Sequence, residues 1–315
     1  MDLTNAQSTN IFAFATEQAR TIVQLHYATL AVCTLIAMTV IGLLSFIIVK
    51  FRHQDGNPDP EQYEGNLKYE LTWTLIPTAI VLGLGIATAV VMHTINPPVG
   101  NNQPDVIVIA HQWWWEYRYP KKGVVVANEL YLPEGVNTLL EMRSADVVHS
   151  FWVPAFGEKM DTIPGHPNHI FYKPLKPGLF VGACAEFCGA DHALMRILVN
   201  VVPPKEYDAW LENQKKVPDA PTDETAQRGK ELFLSKTCVQ CHSVAGTTAQ
   251  ALVAPDLTHL ATRQTIGAGV LPNTVDNVAA WISNAQDFKP GCHMPNMRVS
   301  KEEAHAIAVY LEGLK

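Results

Sequence analysis

The sequence predicts a multi-domain membrane protein built from a two-helix transmembrane hairpin, an all-β sandwich and a small all-α domain. Three observations carry this: two long uncharged apolar runs near the N-terminus, a middle third of short β-branched runs broken by Gly and Pro, and a C-terminal stretch with apolar residues at helical spacing. The 315 residues leave room for more than one domain, and 48% hydrophobic content with a mean hydropathy of +0.04 is high for a purely soluble chain.

The hairpin occupies residues 1–95. Residues 28–49 and 71–92 each run about 22 positions without a charge, enough to span a hydrocarbon core of roughly 30 Å. A buried core helix would be shorter and amphipathic, and Pro77 is compatible with a helix in lipid. Lys50, Arg52 and Lys68 flank the connection between the runs, so the positive-inside rule puts that connection in the cytoplasm and both termini outside. No short apolar core follows a charged start, so no cleavable signal is expected and the first helix acts as its own anchor.

Residues 96–204 form the sandwich. Val106-Ile-Val-Ile, Val124-Val-Val, Thr138-Leu-Leu-Glu-Met, His169-Ile-Phe-Tyr and Leu198-Val-Asn-Val-Val are strand-like runs at the spacing of an all-β sandwich or barrel. Residues 205–226, rich in charge and proline, read as a linker. Residues 227–315 are the all-α domain. The helical run that ends at Leu234 starts at Glu224, and Ser300-Lys-Glu-Glu303 is a capping box for the last helix. Gly229 allows these two helices to approach closely, with Phe233 meeting Tyr310 and Leu311.

Residues 184–195 read C-x-E-x-C-x-x-x-H-x-x-M and gather Cys184, Cys188, His192 and Met195 into a loop between late strands. Thiolate, imidazole and thioether ligands together select copper, with Met as the weak axial ligand of electron-transfer sites. Two thiolates can bridge two ions, and His149 supplies a further imidazole, so the set reads as a dinuclear copper centre. A disulfide between Cys184 and Cys188 is the alternative, but it gives no reason for the neighbouring His and Met.

Cys238-Val-Gln-Cys241-His242 is the C-x-x-C-H attachment site of a c-type haem, with His242 as an axial iron ligand. A thioredoxin-like or zinc C-x-x-C would need a redox βαβ context or a second ligand pair, and neither is visible. The sixth ligand is expected in Lys289-Pro-Gly-Cys-His-Met294-Pro-Asn-Met297, where Met294 is favoured and Met297 and His293 stay open. Pro255 is placed for its carbonyl to accept the other ring proton of His242, the alternative being an ordinary loop proline. Cys33 lies at lipid depth as a small hydrophobe, and Cys292 is left as a free thiol. A modest net charge of -7 is compatible with attraction to a basic donor, and nucleic acid is not expected as a partner.

Taken with Glu70-Leu-Thr-Trp73-Thr-Leu-Ile-Pro77, His111-Gln-Trp113-Trp-Trp-Glu-Tyr117 and Asp146-Val-Val-His149-Ser-Phe-Trp-Val-Pro154, these motifs cover nearly the whole chain. The chain resembles subunit II of a haem-copper cytochrome c oxidase fused at its C-terminus to a class I cytochrome c domain, the caa-type arrangement. The resemblance implies a cupredoxin-like Greek-key sandwich. It implies copper ligation by the side chains of His149, Cys184, Cys188, His192 and Met195 and by the carbonyl of Glu186, whose carboxylate would help hold magnesium shared with subunit I. Trp113 would be where electrons enter the copper site; the alternative is a core aromatic, and Trp114, where many relatives have tyrosine, keeps that choice open. Glu70 would open a proton uptake route into subunit I; the alternative is a solvated residue favoured by the helix dipole.

By the same resemblance the chain takes electrons from a soluble cytochrome c or a membrane donor complex. It passes them through haem c and copper to subunit I, where oxygen becomes water with proton pumping. Subunit III is the other expected partner, and the bacterial inner membrane, with both redox domains on the periplasmic side, the expected location. Two other readings stay open: a subunit of a copper-haem nitric oxide reductase, and a membrane-tethered electron shuttle. A quinol oxidase subunit would have no need of the copper ligands.

Overall fold

The computed structural model describes residues 10–315 other than Gln54, Asn57 and Asp59. The first nine residues of the N-terminal segment, and Gln54 in the connection expected in the cytoplasm, therefore lie outside the described residues. Residues 20–98 form one unit, and the remainder of the described chain a second.

Helices α1 (Glu17–Lys50) and α2 (Leu67–Ile95) are both long and apolar enough to cross a membrane. Their threonines turn inward on the backbone: Thr34 and Thr39 of α1, and Thr72, Thr74 and Thr88 of α2, each donate to the carbonyl four residues earlier. No hydroxyl among these is left to the hydrocarbon, which is the condition for keeping it there. At the start of α2, Asn66 accepts from the Lys68 N–H at 3.1 Å, and Glu70 reaches back to accept from the Asn66 N–H at 3.1 Å. That is a capping arrangement, and it also places the carboxylate where the helix dipole favours it.

The sandwich has two five-stranded sheets. The first is built from β1 (Val106–His111), β2 (Trp114–Tyr119), β3 (Val124–Ala127), β5 (Thr138–Ser144) and β8 (Asn168–Tyr172), in the order β3-β2-β1-β5-β8. The second is built from β4 (Glu129–Pro133), β6 (His149–Trp152), β7 (Met160–Thr162), β9 (Gly178–Cys184) and β10 (Arg196–Val202), in the order β4-β10-β9-β6-β7. Every strand-like run read from the sequence lies in one of these strands. Alternation drives the packing: Val106, Val108 and Ala110 of β1 are fully buried while the residues between them are half-exposed. Residues ahead of α1 also join this core, with Ala15 fully buried and its N–H donating to the Ala155 carbonyl at 2.7 Å.

The stretch 205–226, read as linker, contributes all but the first residue of α3 (Pro204–Gln214), which docks on the sandwich. Leu211 enters the core and Trp210 stacks on Tyr131 at 4.2 Å. Tyr207, Trp210 and Leu211 recur at helical spacing on one face, a pattern that the charges on the other face obscure in composition.

The C-terminal domain holds α4 (Glu224–Ser235), a short ribbon of β11 (Thr265–Ile266) and β12 (Leu271–Pro272), α5 (Val275–Ser283) and α6 (Lys301–Leu311). A Cβ on Gly229 would collide with the Ala306 carbonyl, so glycine is what lets α4 cross α6 at this depth. Phe233 and Tyr310 meet beside the crossing, with ring centroids 6.0 Å apart. Ser300 and Glu303 form the capping box expected for α6.

Candidate metal centre and haem cavity

Strand pairing assembles the first site. Cys184 ends β9 opposite Phe151 of β6, which places it near His149 at the start of β6. The Cys184 N–H donates to the Met195 carbonyl at 3.1 Å, so both ends of the C-x-E-x-C-x-x-x-H-x-x-M loop meet. Within the loop the two sulfurs are unbonded and 3.8 Å apart. Cys184 Sγ lies 3.9 Å from His149 Nδ1 and 3.2 Å from the Glu186 carbonyl, while Cys188 Sγ lies 3.6 Å from His192 Nδ1. Ligand atoms of His149, Cys184 and Cys188 all fall within 4.8 Å of one another. His149 and Met195 are fully buried, His192 half-buried, and the Glu186 side chain exposed.

Electrostatics suit a cation there. The hydrogen bond between the cysteines holds the Cys184 thiol well below its usual range and pushes Cys188 up, so the pair shares one proton. Burial opposes protonation of His149, but the Asp146 carboxylate, 2.8 Å from Nε2, and the Cys184 sulfur outweigh it and raise the imidazole. Asp146 is fixed in turn by the N–H groups of Gln112 and Val147, both at 2.6 Å. Its grip on Nε2 leaves Nδ1 facing the sulfurs, the usual outer partner of a metal-binding imidazole. Two sulfurs and the His149 imidazole drawn together, with the His192 imidazole beside Cys188 and Met195 buried at the end of the same loop, are the soft donor set that copper selects.

The second site is a largely apolar cavity of about 350 Å³ in the C-terminal domain. Cys238, Cys241 and His242 line it together with Met294, Met297 and His293, and Phe233, Leu257 and Ile307 are among the apolar lining. His242 Nδ1 lies 2.8 Å from the Pro255 carbonyl, as the sequence reading expected of a ring with a task at Nε2. Burial lowers the imidazole, keeping it neutral and fit to ligate. An apolar cradle lined by two thiols and an oriented imidazole matches a covalently attached haem. Both Met294 and Met297 line the cavity.

Gln112, Trp113 and Trp114 of the sandwich also line that cavity, so the two sites share a wall. Trp113 Nε1 and Gln112 Nε2 both donate to the Cys188 carbonyl, at 3.0 and 2.7 Å. On its other side the Trp113 ring meets His293 with centroids 5.3 Å apart. The three tryptophans thus separate by contact: Trp114 stacks on His111 at 4.2 Å, Trp115 is a core residue against Phe151, and Trp113 touches the cysteine loop. Gly189 makes room for this, since a Cβ there would lie 3.0 Å from the Trp113 ring and its φ is +116°.

Glu70 carries the cap on α2 and is exposed. Cys33 is exposed on α1, and Cys292 is a half-buried free thiol on the cavity wall. Sequence reasoning assigned no role to Asp146, Gln112 or Lys289. Asp146 was legible in outline, three residues before a ligating imidazole, but Gln112 and Lys289 act through backbone carbonyls of distant segments, which leave no mark in the sequence.

Three family models match. "Cytochrome C oxidase subunit II, transmembrane domain" covers residues 5–89, "Cytochrome C oxidase subunit II, periplasmic domain" residues 121–202 and "Cytochrome c" residues 226–315. The chain is similar to cytochrome c oxidase subunit 2 of Alkalihalophilus pseudofirmus, 36% identical over 95% of this chain and 88% of the relative. It is 34% identical to cytochrome c oxidase subunit 2 of Bacillus subtilis over 86% of this chain and 82% of that one. Among solved structures, the periplasmic domain of subunit II of cytochrome oxidase of Bradyrhizobium japonicum matches at 34% identity and a TM-score of 0.36, covering 38% of this chain and 97% of that one.

Proposed function

The chain belongs to the cytochrome c oxidase subunit II family, with a C-terminal cytochrome c domain, and we propose that it relays electrons from a donor through its own haem c and a dinuclear copper centre to subunit I. It is an oxidoreductase component carrying two helices fit to cross a membrane and a periplasmic-type domain. Oxygen reduction and proton pumping belong to the complex with subunit I, joined by subunit III. The bacterial inner membrane, with both termini outside, is the location this implies.

In this reading His149, Cys184, Cys188, His192 and Met195 hold copper with their side chains and Glu186 with its carbonyl. The exposed Glu186 carboxylate is free to help hold magnesium at the junction with subunit I. Cys238 and Cys241 would hold the haem as thioethers, and His242 and Met294 would supply an imidazole and a thioether to its iron. Bound there, the two metal groups supply one-electron redox chemistry; everything else is positioning. Asp146 orients His149, the Pro255 carbonyl orients His242, and Trp113 bridges the cavity wall and the cysteine loop. Glu70, ionisable at the foot of α2, is the candidate for proton uptake into subunit I. Residues 1–95, 96–204 and 227–315 are the working domains, with α3 carried on the sandwich, residues 215–223 left as connection and α4 beginning at Glu224.

The observation that carries the proposal is the convergence of His149, Cys184 and Cys188 within 4.8 Å in a buried pocket one tryptophan away from a C-x-x-C-H cavity. Metal and haem analysis of the detergent-purified complex, with near-infrared and EPR spectra on wild type and Cys188→Ser, tests it. Two coppers and one covalent haem per chain, with a mixed-valence signal lost in the variant, are expected. Copper-independent activity, or a Cys184–Cys188 disulfide, would overturn the copper assignment.

A further inference from the structure

We infer that Lys289 is a positioning residue that seats the haem-bearing domain on the cysteine loop in one fixed geometry. The inference rests on the reading of the two sites given above. Lys289 is 3% exposed, and its Nζ donates to the carbonyls of Trp113 at 2.6 Å, Leu194 at 2.8 Å and Gly267 at 3.1 Å. An ammonium has three protons, and here each serves a different segment: the β1–β2 connection, the cysteine loop and the turn after β11. Burying an ammonium is costly unless every proton finds an acceptor. The three carbonyls converge on one point, where the buried Asp191 adds opposite charge.

Pulling the domain off the sandwich would strip Lys289 of two acceptors at once and leave the Trp113 and Leu194 carbonyls to find others. The seat has independent support. Glu129 of β4 accepts from the Gln264 and Thr265 N–H groups at 2.7 and 3.0 Å, and the Arg196 N–H donates to the Ala268 carbonyl at 3.2 Å. Lys289 differs from these because it precedes Cys292, His293 and Met294 in the same run, so fixing it fixes the cavity wall against Trp113. Trp113 is only 8% exposed beneath His293. A second protein cannot reach the Trp113 ring while the domain is seated, so an electron that enters the cysteine loop through Trp113 comes by way of this chain's own haem domain.

The test uses the full complex in detergent with a specific protease site inserted after the exposed Asp219, in the connection between α3 and α4. After cutting, the wild-type haem-bearing fragment is expected to stay with the complex through size exclusion. Lys289→Met should release it with about tenfold weaker retention, the scale of one charge-assisted hydrogen bond. Lys289→Arg, which keeps charge and donors, should restore most of it. Retention by Lys289→Met equal to wild type, or release of the wild-type fragment on cutting, overturns the inference. Should Lys289→Met fail to load haem, hydrogen exchange on the uncut wild type decides: slow exchange at Arg196, Gln264 and Thr265 supports a fixed seat, and rapid exchange there beside a protected α4–α6 core overturns it. Copper and haem are counted on the same samples, so a failed electron-relay reading appears as missing metal and leaves the retention result intact.

Discussion

The indole N–H of Trp113 donates to the carbonyl of Cys188 at 3.0 Å, so an aromatic ring on the wall of the haem cavity is bonded directly to the backbone of a thiol residue in the candidate copper site. Gln112 donates to the same oxygen at 2.7 Å, which uses both of its lone pairs and fixes the ring against the loop. The contact explains why Trp113, and neither of its tryptophan neighbours, is the residue to test for electron transfer.

Trp113→Phe removes the donated proton and keeps an aromatic, though smaller, ring at the position. Copper and haem content should stay at wild-type levels while haem-to-copper transfer slows by about ten- to a hundredfold, the scale of a displaced reacting group. Flash-triggered transient absorption on the purified complex reads this. An unchanged rate would mark Trp113 as packing only.

Asp146→Asn weakens the acceptor that orients His149. Copper affinity should fall by about ten- to a hundredfold, as for other outer partners of metal-binding imidazoles. A competition titration with a copper chelator measures it, and haem content, which Asp146 does not touch, serves as the internal control.

Glu129 is 3% exposed, and burial pushes its carboxyl up to about 7 against an ordinary 4.5, the N–H groups of Gln264 and Thr265 only partly offsetting this. The folded state therefore binds this proton more tightly than the unfolded one. Its contribution is complete below about pH 4.5 and is lost as pH rises through about 7, amounting to on the order of 3 kcal/mol. Glu129→Gln keeps the accepting oxygen and cannot ionise, so its stability advantage over wild type should grow between pH 5 and 8. Denaturant midpoints of both proteins across that range check the sign; a constant difference would contradict it.

Gly229→Ala puts a methyl against the Ala306 carbonyl where α4 crosses α6. The C-terminal domain should lose about 1–3 kcal/mol, the usual cost of overpacking. Denaturation followed at the haem absorbance reports it, with the sandwich's tryptophan fluorescence expected to keep its own midpoint.

The sequence by itself determined the three structural classes, because each rests on a local period: uninterrupted apolar runs for α1 and α2, alternation for β1 and β8, and 3.6-residue spacing with a capping box for α6. It also determined the ligand-bearing motifs, since Cys184, Cys188, His192 and Met195 sit in one loop and Cys238, Cys241 and His242 in one turn. Where the informative face was a minority of residues, as in α3, composition hid it. Only the tertiary structure decided which tryptophan meets the cysteine loop, that Asp146 holds His149, and that Lys289 reaches three backbone carbonyls from three segments. Those contacts depend on where strands and loops far apart in the chain come to lie. Backbone acceptors are chemically the same at every residue, so a sequence cannot announce which of them a buried side chain will find.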